Sequence, residues 1–223
     1  VGLWVAITAT VALLLSWVVA GSPLLMATEV EVTGVSGADA QEIHRIANAE
    51  INQPLVKIDV QKIAEEVQRI GLYSSVSVHR GWPHTILIEA VERRPVLSLK
   101  DGQAASKDSQ GTVKVIDSDG VIFESVKAPP GLPTAILADP NDAAASRLAV
   151  AIMEAISADQ RPHVKSVTVA TPGRAVVQLN DTEVVWGDAS RSAFKATVLG
   201  HLAKQGDFSR IDLSAPDTPV TVE

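Results

Sequence analysis

Histidines and carboxylates are the side chains of this sequence to consider first, because they bind metal ions and transfer protons. Five histidines are scattered along the chain, and only His79 and His84 are close enough in sequence to meet across a predicted turn. A zinc site would still need a third and a fourth ligand, and the chain has no cysteine to supply one. We therefore predict no metal site and no cofactor.

The acidic residues do not form a catalytic pair either. Glu89 and Glu92 fall on opposite faces of a predicted strand, because side chains alternate along a strand. The run "DSDG" at 117–120 resembles the start of a calcium loop, but its glycine comes too early and no glutamate stands at the twelfth position. An Asp-Gly hairpin turn is predicted instead. No nucleophile elbow, phosphate-binding glycine loop or His-Glu-x-x-His motif is present. We predict a binding protein, with neither enzymatic activity nor a small-molecule substrate.

Composition narrows the classes of partner. The 223 residues give room for one large domain or two small ones, and the net charge is −7 with no basic block. Nucleic acid is therefore excluded as a partner, since affinity for it depends on cationic side chains. Aromatic residues make up only 4% of the chain, so we expect cores built from valine, isoleucine, leucine and alanine.

The start of the chain predicts a membrane anchor. Residues 1–28 contain no charged residue and no histidine. The run "VGLWVAITATVALLLSWVVAG" has about the 20 residues that cross a hydrocarbon core of about 30 Å. Trp4 and Trp17 stand toward its ends, as interfacial anchors do. A signal peptide is the alternative, but its apolar region is shorter and follows a basic start. We predict a single transmembrane helix at 1–27, with all charged residues on one side of the membrane.

Residues 28–95 predict a small α/β domain of the order strand, helix, helix, strand, strand. "EVEVT" alternates as a half-buried strand does. Ser36 and Asp39 resemble a capping box for the first helix, and Asp59 is predicted to cap the second, which ends before Gly71. The strands "SSVSVHR" and "TILIEAV" flank a turn at "RGWP".

Residues 96–223 predict an antiparallel β-sheet domain with two helices. The strands are "PVLSLK", "TVKVID", "VIFES", "VKSVTVA", "RAVVQLN", "TEVVWG", "RIDLS" and "PVTVE", and "DGQAASKDSQG" is a polar loop. One helix is "PNDAAASRLAVAIMEAISAD". The other, "SRSAFKATVLGHLAK", is predicted to face inward through Phe194, Val198, Leu199 and Leu202. The fold class is therefore α+β.

The order of these parts resembles the FtsQ/DivIB family of bacterial division proteins. The resemblance spans nearly the whole chain, and its family-like blocks are Arg80-x-Trp82-Pro83, Glu92-Arg93-x-Pro95, Trp186-Gly187 followed by Lys195, and Ile211-Asp212-Leu213. It implies a POTRA domain next to the membrane and a β domain beyond it. The family's cytoplasmic N-terminal tail is absent from this numbering.

The resemblance also implies a function. It predicts a non-enzymatic scaffold in the inner (plasma) membrane at the division septum, single-pass, with the bulk of the chain extracytoplasmic. Its partners would be FtsB/DivIC-like and FtsL-like bitopic proteins, through which it would regulate septal peptidoglycan synthesis. Another anchored POTRA protein, acting as a transporter accessory or extracytoplasmic binding subunit, stays open. An anchored hydrolase would need a nucleophile with a base, and the sequence shows neither.

The segment "RIDLSAPDTPVTVE" is the predicted partner site. Val220 and Val222 alternate with Thr221, which predicts a strand, and as the last strand of the chain it would leave one edge free for a partner strand. The resemblance points the same way, since the family's β domain is thought to receive FtsB at its distal end. A frayed terminus is the alternative. The predicted partner-binding residues are Phe194, Lys195, Ile211, Asp212, Leu213, Val220, Thr221 and Val222.

The exit from the first domain is the predicted interdomain junction. Pro95 fixes the backbone there and biases the preceding residue toward an extended conformation. Glu92 and Arg93 are predicted to bridge the two domains. Two alternatives remain for this charged cluster, a solvated strand end and a recognition patch.

Overall fold

The computed structural model describes residues 2, 4, 5, 7–11, 25–100, 112–125 and 129–223. It divides the chain into two compact units, Val1–Arg93 and Arg94–Glu223. The polar loop predicted from "DGQAASKDSQG" lies outside the described residues.

The described residues between 2 and 11 are helical and exposed. Thr8 keeps its hydroxyl inside this helix, where Oγ1 donates to the carbonyls of Trp4 and Val5 at 2.9 and 3.0 Å. Among the residues that the structure describes, no helix has both the length and the apolar character needed to cross a membrane. Most of the predicted anchor, at 1, 3, 6 and 12–24, lies outside them.

The first unit has the predicted order of elements. They are β1 (Glu29–Thr33), α1 (Ala38–Asn48), a 3-10 turn (Leu55–Lys57), α2 (Val60–Gln68), β2 (Tyr73–Gly81) and β3 (Thr85–Glu92). The three strands form one sheet in the order β1-β3-β2, with β1 parallel and β2 antiparallel to β3. The two helices lie between β1 and β2 in sequence, and this long crossover allows β1 and β3 to run parallel.

Alternation and helical periodicity explain the core of this unit. Its buried residues come from one face of the sheet, from the inner faces of the helices and from the 3-10 turn; among them are Ile43, Ala47, Leu55, Ile63, Val67, Ile86, Ile88 and Ala90.

The two helix caps of the first unit differ from each other. The predicted cap of α2 is confirmed, because Asp59 Oδ1 accepts from the N–H groups of Gln61 and Lys62 at 3.1 Å each. The predicted capping box of α1 is wrong. That helix starts after Gly37, which has φ 68° and provides no side-chain cap, so Ser36 stands one position too early.

In its described residues, the second unit is a nine-stranded sheet with two α-helices. Its elements are β4 (Pro95–Leu99), β5 (Val113–Asp117), β6 (Ile122–Ser125), β7 (Thr134–Leu137), α3 (Ala143–Ala155), β8 (Val164–Thr171), β9 (Arg174–Leu179), β10 (Thr182–Gly187), α4 (Ser192–Leu202), β11 (Arg210–Asp212) and β12 (Val220–Val222). The order across the sheet is β12-β11-β10-β9-β8-β7-β4-β5-β6.

The prediction of an antiparallel sheet is wrong in three places. β4 pairs with β7, β7 with β8, and β10 with β11, all in parallel. Strand β7 is not among the strands predicted from the sequence. Helix α3 connects β7 to β8 and α4 connects β10 to β11, and such helical crossovers join parallel strands.

The predicted Asp-Gly turn is confirmed between β5 and β6. Asp117 is 1% exposed, and its Oδ1 accepts from the N–H groups of Asp119 and Val121 at 2.9 and 2.8 Å. The carboxylate therefore stabilises the hairpin. In the described part of the chain, no group of three or more histidines and acidic residues could hold a metal ion.

Candidate partner-binding edge

Strand β12 forms one edge of the nine-stranded sheet. It pairs with β11 in antiparallel register, Arg210 opposite Val222 and Asp212 opposite Val220. All three of its residues are exposed, with Val220 at 62% and Val222 at 50%. Among the described residues, no strand pairs with its outer side.

The hydrogen bonds of β11 determine which backbone groups of β12 point outward. Leu213 N–H donates to Val185 O, and Ser209 O accepts from Glu183 N–H, both bonds being made with β10. Backbone groups alternate in direction along a strand, so Arg210 and Asp212 turn toward β12. Their partners Val222 and Val220 turn back toward β11. The N–H and C=O of Thr221 therefore point to the open edge.

Further contacts hold β12 on the sheet. Ser209 donates from its N–H and from Oγ to the carbonyl of Val222, at 2.9 and 3.1 Å, and Oγ also reaches the carbonyl of Glu223 at 3.1 Å. Arg210 Nη1 lies 2.6 Å from Glu183 Oε1, which ties β11 to β10. Side-chain hydrogen bonds thus hold the edge strand in addition to its backbone pairing with β11.

An arginine connects the start of α4 to the turn that leads into β12. The guanidinium of Arg191 makes two hydrogen bonds with the carboxylate of Asp217, one of them at 2.8 Å. The same guanidinium lies 4.7 Å from the ring centroid of Phe194, within cation–π range. Its hydrogen bonds lower the pKa of Asp217 below the ordinary value. Phe194 is 42% exposed, so this cluster presents an aromatic surface.

The predicted inward face of α4 is wrong at its first position, because Lys195 is buried and Phe194 is not. Lys195 is 0% exposed. Its Nζ donates to Trp186 O at 2.9 Å, to Asp188 O at 3.0 Å and to Asp188 Oδ1 at 3.1 Å. An ammonium group has three protons, and all three have an acceptor. The pKa of Asp188 is lowered, first by the hydroxyl of Ser190 and then by Lys195.

These contacts fix the segment that precedes α4. Trp186 is fully buried, and its Nε1 donates to Ser192 Oγ at 3.1 Å. Gly187 follows with φ 78°, where a Cβ would touch Ser214 at 3.4 Å. Lys195, Trp186 and Gly187 thus fix the backbone conformation of residues 186–192. Arg191 lies within this segment.

The structure separates the eight predicted partner-binding residues into two groups. Phe194, Val220, Thr221 and Val222 are exposed. Lys195, Ile211 and Leu213 are buried in their own domain, and Asp212 is half-buried, with Oδ1 accepting from the N–H and Oγ of Ser214. The first group lies at the surface, and the second lies wholly or partly inside the domain.

Sequence reasoning missed Arg191 and Asp217. The two residues are joined across the fold by a carboxylate–guanidinium pair, and no local pattern in the sequence signals that pairing.

The predicted junction residues lie at the division between the two units. Arg93 donates from its N–H to Leu72 O at 2.9 Å and from Nε to Gly71 O at 3.1 Å, within the first unit. Pro95 begins β4 and pairs with Asp117. A bridging role for Glu92 and Arg93 stays a prediction.

Comparisons with known proteins agree with this architecture. Residues 26–93 match the family model "POTRA domain, FtsQ-type", and residues 104–214 match "Cell division protein FtsQ/DivIB, C-terminal". A cell division protein FtsQ from Streptomyces bingchenggensis is 31% identical over 216 residues, covering 92% of this chain and 78% of the relative. This chain belongs to the FtsQ/DivIB family of cell-division proteins.

Other relatives of this FtsQ/DivIB chain differ more in length. The cell division protein FtsQ of Mycolicibacterium smegmatis is 31% identical over 97% of this chain and 63% of its own length. That of Mycobacterium bovis is 28% identical over 89% and 61%. The solved extracytoplasmic domain of DivIB from Geobacillus stearothermophilus, at 14% identity and a TM-score of 0.31, covers 57% of this chain and 97% of its own.

Proposed function

We propose that this FtsQ/DivIB chain is a non-enzymatic, single-pass membrane scaffold that captures a strand of a bitopic division partner on β12. The partners are FtsB/DivIC-like and FtsL-like proteins, and through them the scaffold regulates septal peptidoglycan synthesis. The observation that carries the proposal is the open edge of β12 with the exposed Val220 and Val222.

The edge has the two components that strand addition needs. Thr221 offers a donor and an acceptor to an incoming backbone, and each main-chain hydrogen bond contributes about 0.5–1.5 kcal/mol net. The two half-exposed valines would each add about 1 kcal/mol when a partner covers them. Main-chain bonds supply affinity and the valine contacts supply specificity, as in other cases of strand addition.

The cluster of Arg191, Phe194 and Asp217 extends this surface to the start of α4. A partner segment that continues past β12 would meet an exposed aromatic ring stacked under a guanidinium, the residue types enriched in interfaces. The buried Lys195 holds the segment that carries Arg191 of this cluster.

The first part of the chain supports membrane anchoring. Residues 1–28 carry no charge, and the described helical residues Trp4, Val5, Ile7 and Val11 are all exposed. A helix that is apolar all round belongs in an apolar environment. The proposal puts the two units outside the cytoplasm because the family resemblance implies that side.

The alternative of a transporter accessory or another extracytoplasmic binding subunit accounts only for the POTRA domain. The match of residues 104–214 to the FtsQ/DivIB C-terminal family model favours the division scaffold.

A pair of substitutions at one position tests the proposed edge. Thr221→Pro removes the outward N–H but leaves the bonds between β11 and β12, and Thr221→Val keeps the N–H. The full chain in lipid nanodiscs would be titrated with the extracytoplasmic segments of FtsB/DivIC-like and FtsL-like proteins from the same genome. Thr221→Pro should weaken binding by about tenfold or more, equivalent to about 1.4 kcal/mol, whereas Thr221→Val should bind as the unaltered chain does.

A proline on the opposite edge of the sheet provides the matched control. Asp117 N–H donates to Val121 O, so the backbone groups of Val121 face β5. Because these groups alternate in direction along a strand, Glu124 of β6, three residues later, turns its N–H outward. Glu124→Pro should leave partner binding unchanged. Equal binding by folded Thr221→Pro and by the unaltered chain would exclude strand addition at β12, and a loss with Glu124→Pro alone would place it on β6.

A further inference from the structure

Trp82 is an exposed aromatic residue at the tip of the β2–β3 hairpin, and the partner edge does not use it. The side chain is 56% exposed. It lies in the turn between Gly81, where β2 ends, and Thr85, where β3 begins. A single exposed apolar side chain is ordinary on a protein surface, so the surroundings of Trp82 decide whether it marks a contact.

Backbone hydrogen bonds bring this tip to the residues that follow the apolar run. The carbonyl of His84 accepts from the N–H groups of Thr28 and Glu29 at 2.9 and 3.3 Å. Ala27 exchanges bonds with Asn52 and Gln53, and Met26 forms a bridge with Pro54. The hairpin tip and the entry of the chain thus lie at the same end of the first unit.

A second segment joins the same end. Arg80, two residues before the tryptophan, donates from Nε to Leu55 O at 2.9 Å and from Nη2 to Ile58 O at 2.6 Å. This places the 3-10 turn beside the hairpin. Val56 in that turn is 44% exposed, and Lys57 is exposed next to it.

The length of the chain limits how far this end can stand from the apolar run. The run ends at Gly21, five residues before Met26. A fully extended chain advances at most about 3.6 Å per residue, so Met26 stays within about 18 Å of the end of the run. If residues 1–21 cross a bilayer, the end of the unit that carries Trp82 faces the headgroups.

The residues of this end have the chemistry of an interfacial anchor. Tryptophan prefers the headgroup level, where its ring is buried and its N–H stays wet. Val56 adds apolar surface, and Lys57 adds a cation that anionic lipid attracts. Acidic residues stand near this end as well: Glu29, whose carboxylate lies 3.9 Å from His84 Nδ1, and Asp59, two residues after Lys57.

From this juxtaposition we infer that Trp82, with Val56 and Lys57, inserts into the lipid headgroup layer and holds the first unit end-on against the membrane. The inference rests on the proposed membrane anchoring. It assigns the POTRA hairpin tip to lipid, and it leaves β12 in the other unit for the protein partner.

Fluorine NMR of the unaltered chain provides the test. The protein has four tryptophans, so 5-fluorotryptophan labelling gives separate resonances that single Trp→Phe variants assign. The full chain would be placed in nanodiscs of phosphatidylcholine and phosphatidylglycerol, with and without a lipid that carries a nitroxide at its headgroup. Trp82 should lose its resonance when the nitroxide lipid is present.

A fifth tryptophan at the far end of the hairpin serves as the control. Val91 is 54% exposed and lies six residues along β3 from Thr85, or about 20 Å away. In Val91→Trp the added resonance should lose less intensity with the nitroxide lipid, and more with a soluble gadolinium chelate, than the Trp82 resonance does.

The outcomes separate the inference from the anchoring on which it rests. If Trp4 and Trp17 respond to the nitroxide lipid and Trp82 does not, the anchor is in the bilayer but the inference is wrong. Equal responses at 82 and 91 would overturn the end-on placement. If none of the tryptophans responds, the proposed anchoring fails and the inference fails with it.

Discussion

Replacing Lys195 by methionine should destabilise the second unit strongly although the substitution removes no volume. Methionine has nearly the length of lysine and fills the same space, but it donates no hydrogen bond. The substitution therefore leaves Trp186 O and Asp188 O without the donor that each has now. The carboxylate of Asp188 is 56% exposed and can turn to water.

The size of the effect follows from these three acceptors. A buried acceptor left without a partner costs about 1–3 kcal/mol. We take about 2 kcal/mol for the buried bond to Trp186 O, about 1 kcal/mol for the partly buried bond to Asp188 O, and nothing for the exposed carboxylate. The free energy of unfolding should fall by about 3 kcal/mol. For a unit of this size, that corresponds to a decrease in Tm of about 10 °C.

Denaturant and thermal unfolding of the full chain measure this change, with the 5-fluorotryptophan resonance of the buried Trp186 as the probe of the second unit. Lys165→Met is the matched control, because Lys165 forms an exposed ion pair with Asp181 and its loss should cost less than about 0.5 kcal/mol. A decrease below about 1 kcal/mol for Lys195→Met would refute the reasoning. It would mean that the cost of burying the ammonium cancels its hydrogen bonds.

Two further predictions concern a glycine of the first unit and the loss of partner affinity at low pH. Gly34→Ala should destabilise the first unit by about 3 kcal/mol or more, because at φ 87° its Cβ would stand 2.1 Å from a backbone carbonyl. Gly71→Ala has φ 81° with open space around it and should cost only about 1 kcal/mol; denaturation followed by circular dichroism compares the two. The lowered pKa of Asp217 means that its pair with Arg191 stabilises the fold above the unfolded pKa near 3.8, and this contribution is lost as pH falls through the lower folded value. Partner affinity should therefore hold from pH 7 to 5 and fall below about pH 4, whereas Asp217→Asn should give a weaker and flatter profile; identical profiles would contradict a role for this pair.

Local patterns predicted most of the first unit. "EVEVT" and "TILIEAV" alternate and became β1 and β3, and Asp59 caps α2 as its position before an apolar helix predicts. The start of α1 was misplaced because Gly37 replaces the side-chain cap with a backbone conformation. Such a substitute cannot be distinguished from a turn by residue type alone.

Two features of the second unit, strand β7 and the burial of Lys195, were not predicted from the sequence. Strand β7 is four residues long and follows Pro133, so it gives too short a pattern to identify, and its parallel pairing depends on strands far away in sequence. Lys195 was predicted to bind a partner, whereas its side chain is buried. Its three acceptors come from a segment whose path only the folded domain determines.

The sequence predicted which strand forms the candidate site, but not which of its backbone groups are open to a partner. The alternation of Val220 and Val222 identified an edge strand. That Thr221 is the residue whose backbone faces outward depends on the hydrogen bonds between β10 and β11, which the sequence of β12 does not contain.

The parallel strand β7 has a consequence for how the second unit folds. Strands β4 to β6 follow one another in sequence and lie side by side in one half of the sheet. Strands β8 to β10 do the same in the other half. Both groups depend mainly on local contacts, which form early because they close short loops. Within the described sheet the two groups are joined through β7, which pairs Ser98 with Thr134 on one side and Thr134 with Ser166 on the other. Until β7 docks, β4 and β8 each expose an unpaired edge at the centre of the future sheet. We therefore expect docking of this short strand to limit the folding rate, and its absence to leave an intermediate that aggregates through its strand edges.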